Sequence, residues 1–432
     1  MLSIEETWSN WASTYTKNGV RIYRPQSIEQ VSAVVTQALH ERQTIRPFGA
    51  KHAFSGVAQP DTIAVDLQHL RGLIRVDRQQ AQATFWAGTY LYEIGPLLEA
   101  HGLALQNMGD IDVQSIAGAI STGTHGTGIT LGSLSSQVVR WGVIDGQGAY
   151  REIFRDDPIA EALHISLGLL GIIVDVTIQA VPVYGLHYES SRMTVSDTLK
   201  QFRSIIENNR HAEWYYFPGQ AQMQLKVMNP VAYDDIQRQP AKAIDHFLEN
   251  NVLQAMSTIC KKVPRATKWV SKLSADVVPI GEKEDVSYRI FATPRQVRFT
   301  ECEYAIPLEY FEAFLEEFHH FMARNLFDVH FPVECRTQKG ESGLLSPTQG
   351  RDCAFVAFHM YQGMPYKRYF RFVDELLTKY EGRAHFGKMN RYTRRELNRL
   401  YTDVNIFLAR RAEFDEQGVF MSKYAKNIFE SG

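Results

Sequence analysis

The sequence predicts an α+β fold in two parts, and three observations predict it. Through the first 180 residues, strand-like and helix-like stretches follow one another without strict alternation, which argues against a doubly wound parallel sheet. The run Gly123-Thr124-His125-Gly126-Thr127-Gly128 has the wrong spacing for a G-x-G-x-x-G turn, and no acidic residue follows about twenty positions on at a strand end. After Val181-Pro182-Val183 the composition changes, so a domain boundary is expected near 180.

Taken in order, Trp8, Trp11 and Tyr15 stand at helix-like spacing before a Lys17-Asn18-Gly19 turn. Val20 to Arg24 reads as a strand ended by Pro25. Ser27 is an N-cap candidate for a helix over 28–42, with Glu29 and Gln30 in its first turn. Ile45 to Phe48 is a short strand running into Gly49-Ala50-Lys51-His52-Ala53-Phe54-Ser55-Gly56, a loop with glycine at both ends. Thr62 to Asp66, Leu73 to Val76 and Ala83 to Ala87 read as strands. Tyr90 to His101 reads as an amphipathic helix with Gly102 at the C-cap position, and Leu103 to Gln106 as a brief strand. Val138 to Asp145 and Tyr150 to Ile153 form a hairpin around Gly146 to Ala149. Pro158 to Ser166 is a helix, and a glycine-broken turn from Leu167 leads into a buried strand ending at Ile178.

In the second part, Leu186 to Val195 is strand-like and Ser196 to Asn208 helical. Trp214 to Phe217 and Gln222 to Val227 read as antiparallel strands. Residues 240–275 read as mostly helical, with Lys261, Lys262, Arg265, Lys268 and Lys272 as a solvated face. Arg298 to Ile306 is a strand on which Glu301 and Glu303 alternate, and Leu308 to Ala323 is a helix. His319-His320 within it reads as surface, with no third ligand at metal-site spacing, so no metal is expected. Phe331 to Thr337 and Cys353 to Tyr361 are strands. At period two, Glu334 and Arg336 share one face, as do His359 and Tyr361. A carboxylate and a guanidinium side by side in an apolar strand either pair to hold the sheet or bind a polyhydroxylated substrate. Helices at about 393–401 and 405–413 and a turn with an apolar anchor at 415–420 complete the chain.

Composition narrows the function. Hydrophobic content of 44% and charged content of 22% suit a globular protein, and a net charge of −2 provides no basic field for nucleic acid. No apolar run is long enough for a membrane span, and the N-terminus lacks a signal-peptide pattern. The four cysteines form no C-x-x-C pair, which fits a reduced, cytoplasmic chain. The richest stretch is Asp110 to Thr130, where six small residues between Ser121 and Gly128 surround His125. Glycines, hydroxyls and bare N–H groups there suit a flat polar cofactor laid against main chain.

These residues resemble the sugar-lactone and alditol oxidases of the vanillyl-alcohol-oxidase flavoprotein family. Four pieces carry the resemblance. They are Gly49 to Phe54, Gln114-Ser115-Ile116-Ala117-Gly118 through Thr122 to Gly128, Glu334-Cys335-Arg336, and His385-Phe386-Gly387-Lys388. The resemblance implies a two-subdomain FAD-binding domain at 1–180, a cap domain on an antiparallel sheet with flanking helices at 181–380, and a segment at 381–432 returning to the FAD domain. It implies FAD held by Pro47, Phe48, Gly49, Ala50, Lys51, His52, Ser115, Gly118, Ser121, Gly123, Thr127, Gly128, Ile172, Ile173 and His385, and attached covalently through His52. Catalysis is implied for Glu334, Arg336, Lys388, Ser115 and His359, with His359 and His385 as neighbours. Lys388 is either a base with a lowered pKa or an electrostatic anchor. Phe386 stands where the family motif has tryptophan. The implied reaction is hydride transfer from a carbinol of an aldono-1,4-lactone to the flavin, with O2 or another acceptor reoxidising it. An alditol substrate, a quinone- or cytochrome-linked dehydrogenase, and a non-catalytic FAD-binding protein remain open.

Overall fold

The computed structural model describes residues 3–237, 254–292, 297–324 and 326–430. A first sheet has the order β1 (Ile4–Ser9), β2 (Thr16–Tyr23), β4 (Ile63–Asp66), β3 (Ile45–Phe48); β1 and β2 are antiparallel and β2, β4 and β3 parallel. The helix Ile28–His40, capped by Ser27 accepting from the Gln30 N–H, connects β2 to β3. A second, antiparallel sheet has the order β5 (Leu73–Asp77), β6 (Gln82–Trp86), β10 (Ile172–Gln179), β8 (Val138–Ile144), β9 (Tyr150–Phe154). β7 (Leu103–Ala104) pairs with β11 (Val181–Pro182).

The remaining strands build one antiparallel sheet. Its order is β15 (Gly281–Val286), β12 (Tyr184–Thr194), β14 (Gln222–Ala232), β13 (His211–Tyr216), β17 (Val333–Gln338), β18 (Cys353–Tyr361), β16 (Phe299–Pro307), β19 (Arg383–Ala384). Helices Val195–Asn208 and Phe311–Ala323 cover it through Phe202, Trp214, Phe311, Phe314, Phe318 and Phe358. Every residue of β16 and of β17 is buried, so their charged side chains must find partners inside the protein.

Two expectations need correction, and two helices were not foreseen. The N-terminal aromatics do not lie on a helix. Trp8 is buried on β1 beside a bulge, while Trp11 and Tyr15 lie in the turn to β2. The helix expected at 158–166 shortens to Ala160–Leu163. Within the glycine-rich stretch, Ile116–Thr122 is a helix, and Gly123 ends it in the left-handed conformation (φ +81°). A further helix, Lys423–Phe429, follows the apolar anchor. Of the expected 240–275 helical region, residues 240–253 lie outside the described residues; 254–262 and Thr267–Val277 are helical, and the five basic side chains are exposed.

Candidate active site

One deep cleft, about 1590 Å³ counted to its open mouth, runs between the first loop, the 115–125 stretch and the inner face of the large sheet. β3 delivers Pro47, Phe48, Gly49, Ala50, Lys51 and His52 to its wall. Gly49 is required by proximity, because a Cβ there would lie 1.9 Å from Ser115 Oγ. Lys51 adopts φ +58°, a left-handed conformation costing a non-glycine residue about 1–2 kcal/mol. The N–H groups of Ala50, Lys51 and His52 have no backbone acceptor among the described residues, and all three residues line the cleft. Ser115 caps the helix that follows, accepting from the Gly118 N–H, and Ser115, Gly118, Ser121 and Ile173 line the cleft beside this loop. Gly49→Ala is therefore expected to empty the cleft, read as loss of bound cofactor per purified chain.

The large sheet supplies two charged groups to this cleft. In the first, Arg336 Nη2 lies 2.5 Å from Glu334 Oε1 and 3.3 Å from Asp110 Oδ1, and its Nε donates to Glu213 Oε2 at 3.1 Å. The Tyr215 hydroxyl donates to Glu334 at 2.6 Å. Burial would lower the Arg336 pKa, but Glu334, Asp110 and Glu213 hold it well above its ordinary value.

In the second, Lys388 Nζ lies 2.6 Å from Glu301 Oε2, and His359 Nε2 lies 3.5 Å from Glu301 Oε1. Burial opposes charge on both partners, yet Lys388 holds the Glu301 carboxyl down to about 2, and Glu301 followed by Glu303 holds Lys388 above its ordinary value. Lys388 is thus paired with Glu301, and the lowered pKa that a lysine base requires is not found. His359 and His385 attend different carboxylates. His385 lies in the field of Glu303, and burial pushes it down to about 4.

His125 Nε2 lies 3.3 Å from Glu303 Oε1. His125, Glu303 and His385 bring potential ligand atoms within 4.8 Å of one another, the one such group among the described residues. His385 Nδ1 accepts the Gly387 N–H, which places the proton of the neutral ring on Nε2, and His125 Nδ1 donates to the Gly126 carbonyl. In this arrangement His385 offers no free lone pair, while His125 keeps Nε2 towards Glu303.

The structure brings together Glu334, Arg336, Lys388, His359, Ser115, His385 and the 47–52 loop, all lining the cleft. Four expected cofactor residues lie outside its lining. Gly123 terminates a helix, and Ile172 is interior to β10. Thr127 Oγ1 donates to the Ala212 carbonyl, and the Gly128 N–H to the Thr337 carbonyl, so both join the 115–130 stretch to the large sheet. Sequence reasoning missed Glu301, Glu303, Glu213, Asp110 and His125 as site residues. The Glu301/Glu303 alternation inside an apolar strand was the available signal for the first two. His52 stacks on Trp11 (centroids 4.7 Å apart), and burial, then Lys388, pushes its pKa down to about 4.

The chain matches the family described as D-arabinono-1,4-lactone oxidase over residues 176–428 and that described as FAD binding domain over residues 21–153. It is 32% identical over 425 residues to an L-gulono-1,4-lactone dehydrogenase of Mycobacterium tuberculosis, covering 98% of both chains. It is 27% identical over 435 residues to the L-gulonolactone oxidase of Mus musculus, again covering 98% of both. The crystal structure of cholesterol oxidase from B. sterolicum shares its fold with a TM-score of 0.80 at 18% identity, covering 99% of this chain and 97% of that one.

Proposed function

The chain belongs to the D-arabinono-1,4-lactone oxidase family and carries its FAD-binding domain, and from that premise we propose that it oxidises an aldono-1,4-lactone, of the L-gulono or D-arabinono type, at a carbinol carbon. The observation that carries the reading is the convergence of the Glu334–Arg336 pair, the Lys388–Glu301–His359 group and the donor-lined 47–52 loop on one cleft. The residues fit FAD. Bare N–H groups at 50–52 suit a pyrophosphate, and Gly49 allows close approach. When bound, FAD supplies the hydride acceptor.

The protein's own groups do the rest. Arg336, fixed by three carboxylates through Nε and Nη2, is a cation that holds the substrate hydroxyls with Glu334. Lys388 is a second fixed cation facing the oxygen on which charge develops. His359 Nδ1 donates to the Pro332 carbonyl at 3.1 Å, which leaves Nε2 with a lone pair to receive the hydroxyl proton. Ser115 Oγ lies at the same wall and orients the substrate or cofactor edge.

His52 attaches covalently to the flavin in this reading. Its support is a buried, neutral imidazole held against Trp11, because only the neutral ring is a nucleophile. Denatured protein on an acid-soaked gel is expected to fluoresce under ultraviolet light, and His52→Ala to abolish the band; a dark wild-type band would remove the attachment and leave the rest. The boundary near 180 is supported by β10 ending at Gln179 and the large sheet starting at Tyr184; within 381–432, β19 still extends the large sheet, and the return to the FAD domain is supported by the Phe54 N–H donating to the Gly387 carbonyl and the Ile45 N–H to the Val419 carbonyl. A cytoplasmic location is supported by four free, buried cysteines; among the described residues no helix is long and apolar enough to cross a membrane.

Anaerobic mixing with aldonolactones tests the substrate. Flavin bleaching by L-gulono- or D-arabinono-1,4-lactone is expected, and bleaching by xylitol or sorbitol alone would replace the lactone with an alditol. Oxygen with hydrogen peroxide formation is the proposed acceptor reaction. The dehydrogenase name of the mycobacterial relative favours a second reading, an acceptor other than oxygen. Comparing oxygen uptake with dye reduction separates the two.

A further inference from the structure

We infer that Glu301 is the positioning residue of this site: it fixes Lys388 as a cation and aims His359 Nε2 into the cleft, while the substrate is held by other groups. The inference rests on the lactone-oxidising reading for its kinetic consequence, and on geometry for its placement.

Glu301 is the third residue of β16 and is 4% exposed. It is directly opposite His359 in the β16–β18 register. Its two carboxylate oxygens are divided between two partners, Oε2 to Lys388 at 2.6 Å and Oε1 to His359 at 3.5 Å. Its backbone carbonyl accepts the Met389 N–H at 2.9 Å, and the carbonyl of Glu303 accepts the His385 N–H. One strand therefore places the 385–389 segment by main chain and then pairs with its lysine by side chain.

Each contact has a chemical consequence. A lysine 2.6 Å from a buried carboxylate keeps its proton, so Lys388 serves as a charge and not as a base. His359 has Nδ1 committed to the Pro332 carbonyl, so Nε2 is the nitrogen that gains a proton. That nitrogen lies 3.5 Å from Glu301 Oε1, so the carboxylate fixes where it points. No carboxylate other than Glu301 is placed within ion-pair distance of Lys388 or His359 among the described residues. Asp110, Glu303, His52, His125 and His385 form the surrounding titratable shell.

The test uses the flavin-loaded protein with Glu301→Gln and Glu301→Asp. Two readouts are taken: anaerobic flavin reduction by L-gulono-1,4-lactone across pH, and acylation of Lys388 by a lysine reagent followed by peptide mass spectrometry. Glu301→Gln is expected to slow flavin reduction about a hundredfold, with substrate saturation little changed. Lys388 should be acylated at least about tenfold faster near neutral pH, because a tenfold gain is one pKa unit of lost protonation. Glu301→Asp should restore most of the rate. In a Lys388→Met, His359→Gln background, adding Glu301→Gln should cost nothing more, since its partners are gone.

Unchanged acylation of Lys388 overturns the inference. So does faster acylation with an unchanged reduction rate and pH profile per bound flavin, which would make Glu301 a structural residue. A wild-type flavin bleached by no aldonolactone, with the acylation shift present, would overturn the lactone reading and leave the Glu301–Lys388 placement standing.

Discussion

Arg336→Met is expected to lower kcat/KM for the lactone by about 10²–10³-fold, the usual cost of removing one fixed donor from a transition-state site. It is also expected to destabilise the fold by about 3–5 kcal/mol, because a buried cation is removed from carboxylates that remain. Glu334, Glu213 and Asp110 all lie within 3.3 Å of that guanidinium. The pH dependence follows. Burial alone would raise the Glu213 carboxyl, but Arg336 and then Lys226 hold it below its ordinary value. A depressed folded pKa contributes stability that is present above the ordinary carboxylate pKa and lost as pH falls through the folded value. The variant lacks that contribution near neutral pH, so the gap between its urea midpoint and the wild type's should narrow on acidification. Arg336→Lys retains the charge but cannot reach Glu213 and Glu334 with one fork. It should recover part of the stability and little of the rate. Equal urea midpoints for wild type and Arg336→Met near neutral pH would show that the carboxylates have other partners.

The parts of this architecture set by local chemistry were legible in the sequence. Ser27 announces its helix, Gly49 and Ser115 mark the places where backbone and side chain crowd together, and period two places Glu334 beside Arg336. What was hidden depends on tertiary pairing. Glu301 and Glu303 are recognisable as a repeated charge in an apolar strand, but their partners Lys388 and His125 are distant in sequence and arrive through sheet order. Lys388 follows β19, whose continuation docks on β16, and β18 separates β16 from β17, so the lysine pairs with Glu301 rather than with Glu334. The N-terminal segment misled for a different reason. Trp8, Trp11 and Tyr15 have the spacing of a helix face, but a bulge and a turn bring them inward from a hairpin. Gly123, Thr127 and Gly128 have cofactor-loop chemistry; in the structure Gly123 ends a helix, and Thr127 and Gly128 join the 115–130 stretch to the large sheet.

Glu341→Gln is expected to cost about 3 kcal/mol at neutral pH while leaving the turnover rate per bound flavin close to wild type. Glu341 lies on the connection from β17 to β18, away from the cleft lining, with its side chain 5% exposed. Burial alone would raise its carboxyl. His164 at 3.1 Å, then the Ser133 N–H and hydroxyl at 2.7 and 2.8 Å, bring it down to about 2 from an ordinary 4.5. The Ser346 hydroxyl donates to its other oxygen. This one carboxylate therefore ties the 340–350 connection to the 133–137 turn and to the segment at His164. Its folded pKa is depressed, so its stability is fully present above about pH 4.5 and is lost as pH falls towards about 2. Glutamine keeps the shape, removes the charge and turns an amide donor towards groups that themselves donate. Urea midpoints should differ clearly near neutral pH and converge in acid. A gap that persists unchanged at the acid end would mean that lost packing, and not lost charge, sets the cost. β17 and β18, which carry Arg336 and His359, are held to each other by their own ladder from Glu334 to Gln338, so losing the tie costs stability and not turnover.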